Sequence, residues 1–238
     1  MVSPEPSVLG AVCKKRRRRA ELAAIRPFRP GTSAGDCGRK RPIGEGAEPG
    51  WGNGYANIVV SHLAAEWPEY NMHIQNMGIS GNTVRDLKAR WQTECLDLKP
   101  DWVSIMIGIN DVWRQFDRPY QKGAGVPLKE FSETLEELVV QTKPKLSGGL
   151  ILVTPYYIEP LKTDPMRKAM DEFGACVKAL AAKHNTIFVD TQAAFDKTLL
   201  HSYSASIAKD RVHPMTSGHT IIANAFLRAI GAMSPNRE

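Results

Sequence analysis

Little in this chain of 238 residues could staple it together or fix it in a bilayer. Four cysteines stand at positions 13, 37, 95 and 176, with no Cys-x-x-Cys pair and no histidine cluster beside them. That scatter argues against a disulfide framework or a zinc site and implies reduced thiols in a cytoplasmic protein. The longest apolar runs, WVSIMIGI from Trp102 and GLILVTP from Gly149, fall far short of the roughly 20 residues that span a membrane. A secretory signal is not evident either, because the basic run follows a short apolar patch where a signal has the reverse order. No internal repeat is present, and aromatic residues make up only 8%.

The body of the chain also lacks net charge. The whole carries +6, but residues 1–35 account for it, with eight Lys and Arg against Glu5 and Glu21. The rest balances 23 basic against 23 acidic residues, so it has no electrostatic footprint for a polyanion. The run KKRRRR (Lys14 to Arg19) therefore reads as part of a solvated basic arm over residues 1–30. Binding of nucleic acid or membrane is not expected.

What the chain does have is alternation. The segments at Met72 to Gly78, Trp102 to Gly108, Leu150 to Pro155 and Thr186 to Asp190 read as buried strands. Amphipathic helical patterns run near Tyr55 to Trp67, Val84 to Leu98, Leu128 to Leu146, Pro165 to His184 and Ser217 to Ile230. The order implies an α/β domain with a parallel sheet of about five strands and helices on both faces, spanning residues 31–238. The stretch from Val112 to Val126 reads as a long loop of the kind that borders active sites. A first strand is wanted just before Gly31, but AAIRPFRPG places Pro27 and Pro30 there, and proline cannot donate to a sheet ladder.

Chemistry gathers at the strand ends. Asp210 and His213, in KDRVHPMTSGH, are spaced so that one turn can set a carboxylate beneath an imidazole and leave the other ring nitrogen free as a general base. Asn110, in MIGINDVW, lies just past a strand, where its side-chain amide can point into a cleft. Gly81, in NMGISGNTVRDL, leaves a backbone N–H open to close approach by a ligand near a helix start. Each is also readable as a turn. Together they are the parts that stabilise an oxyanion and activate a hydroxyl. Ser80 reads as a turn residue and His219 as a packed helical residue.

The blocks NMGISGNTVRDL, IGINDVWRQFD and DRVHPMTSGHTIIANAF resemble the SGNH (GDSL-type) hydrolase superfamily, in its bacterial esterase branch, over about residues 36–230. The resemblance implies a three-layer α/β/α flavodoxin-like fold and a serine esterase acting on short acyl groups, O-acetyl carbohydrate among them. It sets Gly31, Thr32 and Ser33 on the family's Gly-Asp-Ser, making Ser33 the nucleophile, His213 its base and Asp210 the residue that orients the imidazole. The oxyanion hole would be the N–H groups of Ser33 and Gly81 with the Asn110 amide. No metal or organic cofactor is implied, and the partner would be a small ester substrate. Asp36, Arg39, Trp51, Asn53, Trp113 and Arg114 would rim the pocket.

One block departs from the pattern. Thr32 stands where the family has aspartate, and the lead-in IRPFRP replaces an apolar strand. Two readings follow: a divergent block that still presents Ser33, or an altered N-terminus that leaves a catalytically impaired, substrate-binding relative.

Overall fold

The computed structural model describes residues 11–14 and 51–233. The described residues form a five-stranded sheet in the order β2-β1-β3-β4-β5. Its strands are β1 (Ala11–Lys14), β2 (His73–Asn76), β3 (Trp102–Met106), β4 (Gly149–Val153) and β5 (Ile187–Val189). β3, β4 and β5 pair in parallel, in registers such as Val103 opposite Leu150 and Leu152 opposite Phe188. The antiparallel member is β1, which lies between β2 and β3 and runs against both. It comes from the sequence read as an arm, whereas the strand wanted just before Gly31 falls outside the described residues.

Helices α1 (Tyr55–Glu66), α2 (Val84–Glu94), α3 (Ile109–Asp117), α4 (Leu128–Thr142), α5 (Pro165–His184), α6 (Thr191–Leu199) and α7 (Thr216–Ala229) complete the domain. α1 and α6 pack on α7, while α2 packs on α4 and α4 on α5, giving a helical layer on either side of the sheet. Strands covered on both faces need no polar side, and Val103, Ser104, Ile105 and Met106 are buried in succession. The core continues through Leu87, Trp91, Phe131, Leu135, Leu152 and Phe195.

Local chemistry fixes the helix ends. At α5 the Asp164 side chain accepts the Arg167 N–H at 3.0 Å and Pro165 occupies the first turn. Asp190, directly after β5, accepts the Ala193 N–H at 2.9 Å and starts α6 with no linker, which is why the sequence shows no separate signal for that helix. The expected loop from Val112 is corrected: its first half is α3, started by Gly108 at φ +119°. The second half folds back so that the Val126 N–H donates to the Asp111 carbonyl at 3.0 Å. Among the described residues no helix is long and apolar enough to cross a membrane.

Candidate active site

The loop after β2 is built to hold its backbone still. Gly81 sits at φ +79°, a conformation that glycine adopts without strain. Arg90, from α2, grips the loop at two points, donating to the Met77 carbonyl at 2.8 Å and the Asn82 side-chain oxygen at 2.9 Å. Thr83 closes the loop with a capping box: its N–H donates to the Asp86 carboxylate at 2.8 Å, and its own side chain accepts from the first turn of α2. Ser80, in the same loop, is exposed.

α3 meets this loop through neighbouring residues. Asn110, only 3% exposed, donates its side-chain N–H to the Asn82 carbonyl at 3.1 Å. Asp111 is fully buried and accepts the Val84 N–H at 2.9 Å through Oδ1, while Oδ2 has no hydrogen-bond partner among the described residues. Burial drives its carboxyl up to about 7, although the Val84 N–H works the other way. The buried tie of Asp111 to α2 has no local signal in the sequence.

At the other end of the chain, Asp210 and His213 meet as their spacing suggests. Asp210 Oδ1 accepts the N–H groups of Val212 at 3.0 Å and His213 at 2.8 Å. Oδ2 faces the Nδ1 of His213 in a close hydrogen bond. Burial pushes the Asp210 carboxyl up, but the backbone N–H and ring of His213, with the Val212 N–H, outweigh it and hold the group below its ordinary value. With Nδ1 turned to the carboxylate, Nε2 is the nitrogen left for proton transfer.

Trp113 links the two regions. Its indole meets the His213 ring edge-on, with centroids 5.0 Å apart and planes at 77°. The Arg114 guanidinium lies 4.4 Å from the centre of the same indole and pairs with Asp117 at 2.5 Å. Arg114 is buried and Trp113 is half-buried. Trp51 is tied to β2 through its indole N–H and the Ile74 carbonyl at 2.8 Å, and Asn53 is exposed. His219 lies on α7 against Gly54, where a Cβ would come within 3.3 Å of its ring. Gly31, Thr32, Ser33, Asp36 and Arg39 lie outside the described residues. Among the described residues no group of three or more His, Cys, Asp and Glu could hold a metal ion.

The geometry thus brings together a buried amide, a glycine loop and a carboxylate-bound imidazole, parts able to receive an acyl group and move a proton. Comparison with known proteins points the same way. A family model described as the GDSL-like Lipase/Acylhydrolase family matches residues 42–221. An acetylxylan esterase of Geobacillus stearothermophilus is 56% identical over 201 residues, spanning 84% of this chain and 91% of that one. A crystal structure of acetylxylan esterase from that organism superposes with a TM-score of 0.75 at 55% identity, covering 82% of this chain and 89% of that one. An alpha/beta hydrolase enzyme from the metagenome of Lake Arreo, Spain, gives 0.75 at 49% identity, covering 77% and 84%. Other matching structures are catalytic mutants of the Geobacillus enzyme, in which a serine, an aspartate and a histidine are each changed to alanine.

Proposed function

The chain belongs to the GDSL-like lipase/acylhydrolase family, and from that premise we propose that it is a serine esterase that removes acetyl groups from carbohydrate. The observation that carries this reading is the Asp210–His213 pair, set against Trp113 on the helix that also bears Asn110. In the Geobacillus relative the aspartate and histidine of the catalytic mutants are also three positions apart.

In this mechanism Ser33 Oγ attacks the acyl carbonyl while His213 Nε2 takes its proton. Asp210 keeps the ring oriented and stabilises the imidazolium. The oxyanion is met by the N–H groups of Ser33 and Gly81 and by the Asn110 amide, each such donor being worth about 10²–10³ in rate. Collapse of the tetrahedral intermediate breaks the bond to the sugar oxygen, which His213 protonates. Water, deprotonated by His213, then attacks the acyl-serine, and the bond to Ser33 Oγ breaks as His213 returns the proton to that oxygen, releasing acetate. Each step uses side chains and backbone of this chain alone.

Acetylated xylo-oligosaccharide is the preferred substrate of this reading, drawn from the relative's activity. Incubating the full chain with p-nitrophenyl acetate and with acetylated xylo-oligosaccharide tests it, and acetate release from both is expected. Binding of the oligosaccharide without acetate release would contradict turnover and favour the impaired, ligand-binding alternative.

A further inference from the structure

The turn that joins Asp210 to His213 is held in a conformation its sequence does not favour. Arg211 has φ +66°. Among the described residues three other non-glycines have positive φ, and each closes a helical turn: Asn71, Lys99 and Asn185. Arg211 closes none. A residue with a Cβ persists in the left-handed region only where its surroundings over-determine it.

Beyond the turn's own bonds, from the Arg211 N–H to the Ala208 carbonyl and from the Val212 and His213 N–H groups to Asp210, those surroundings come from the loop that follows β4. The Tyr156 hydroxyl donates to the Val212 carbonyl at 3.4 Å, and the Ile158 N–H donates to the Arg211 carbonyl at 3.0 Å. The Arg211 guanidinium lies 5.2 Å from the centre of the Tyr157 ring and pairs with the Glu159 carboxylate. Glu159 is itself fixed: its other carboxylate oxygen accepts the Leu161 N–H at 2.8 Å, and its side chain is 12% exposed. Its backbone carbonyl accepts from Arg167 at 2.6 Å. Arg167 is in turn buried, and bonds Asp171 and Asp196 at 2.8 Å each. A chain of contacts therefore runs from the α5–α6 interface through Glu159 to the residue between the carboxylate and the imidazole.

We infer that Glu159 is a positioning residue for the Asp210–His213 pair, acting by clamping Arg211 in its left-handed conformation. The role rests on the esterase reading for its kinetic consequence but not for its structural one. Without the Glu159 carboxylate, Arg211 loses its side-chain anchor, the backbone bonds alone must hold its left-handed conformation, and the turn loosens so that the ring drifts from the carboxylate. Neither Glu159 nor Arg211 is among the residues read as the pocket rim, so substrate binding is expected to be spared.

The decisive experiment pairs Glu159→Ala with the double variant Glu159→Ala/Arg211→Gly, because glycine adopts a positive φ without being held there. For p-nitrophenyl acetate, Glu159→Ala should lower kcat about tenfold or more with KM within about twofold, and the double variant should recover most of the loss. The proton shared by His213 Nδ1 and Asp210 gives a low-field resonance that reads positioning without turnover. It should vanish in Glu159→Ala, return in the double variant and be absent in His213→Ala. Glu159→Gln, which keeps the side chain's shape, should show a milder form of the same pattern and guards against a variant that does not fold. A resonance and kcat untouched by Glu159→Ala would overturn the inference. So would a loss that the glycine fails to reverse. If the parent turns over no ester yet its resonance follows the predicted pattern, the esterase reading fails and the clamp stands.

Discussion

The imidazole of His213 is gripped from two sides, by the Asp210 carboxylate at Nδ1 and by the edge-on indole of Trp113 with ring centroids 5.0 Å apart. The carboxylate fixes which nitrogen faces outward, and the indole limits how the ring swings.

Removing either side of the pair should be felt in chemistry more than in binding. His213→Ala is expected to cut kcat on p-nitrophenyl acetate by about 10⁴-fold or more. Asp210→Asn, which leaves the shape but reverses the hydrogen bond, should cost up to about 10⁴-fold. Steady-state kinetics with KM nearly constant would bear this out, and wild-type kcat in either variant would refute it.

Trp113→Ala should lower kcat by freeing the ring and should also lower stability, since an edge-on aromatic pair contributes about 0.5–1.5 kcal/mol beyond its buried area. Trp113→Phe keeps a ring in place and should retain most of both. Denaturant midpoints measured beside kcat separate the two effects.

Gly108 is where β3 turns into α3, and its φ of +119° is closed to side chains. An added Cβ would meet Pro155 at 3.0 Å and Phe131 at 3.3 Å. Gly108→Ala should cost about 1–3 kcal/mol in backbone strain alone and should displace Asn110, two residues on. Equilibrium unfolding together with kcat checks both parts.

Asp111 makes stability depend on pH. Its carboxyl is raised from 3.8 to about 7 in the folded chain, so the folded state keeps a proton that the unfolded chain has already released. Stability tied to this group is fully present below pH 3.8, declines as pH rises toward 7 and levels off above it. Asn preserves an acceptor for the Val84 N–H and carries no charge. Asp111→Asn should therefore melt above the parent at pH 8, with the advantage shrinking toward pH 4. A gap that does not vary with pH would count against a buried, raised carboxyl.

The sequence exposes what is local and hides what is assembled. β3 and β4 fall within apolar runs visible in the chain, because strands covered on both faces have no polar alternation to blur them, and β2 and β5 lie within segments read as strands. Asp210 and His213 lie close enough in sequence for one turn to join them. β1 is illegible for the opposite reason: AVCK is a short segment flanked by the basic run, and its place between β2 and β3 depends on partners far along the chain. α3 and α6 were hidden because only Ile107 and Gly108 in one case, and Asp190 in the other, separate them from the preceding strands. Arg114, read as a pocket rim, is buried, and its stacking on Trp113 and pairing with Asp117 have no signal in the sequence beyond their closeness along α3. The clamp on Arg211 comes from Tyr156 to Glu159, about 50 residues upstream, and no spacing rule reaches that far.

The account depends most on Ser33. A fluorophosphonate probe followed by peptide mapping of the full chain tests it directly. The account predicts a covalent adduct on Ser33 that is lost in both Ser33→Ala and His213→Ala. An adduct on Ser80, or no adduct in a chain that still releases acetate, would contradict it.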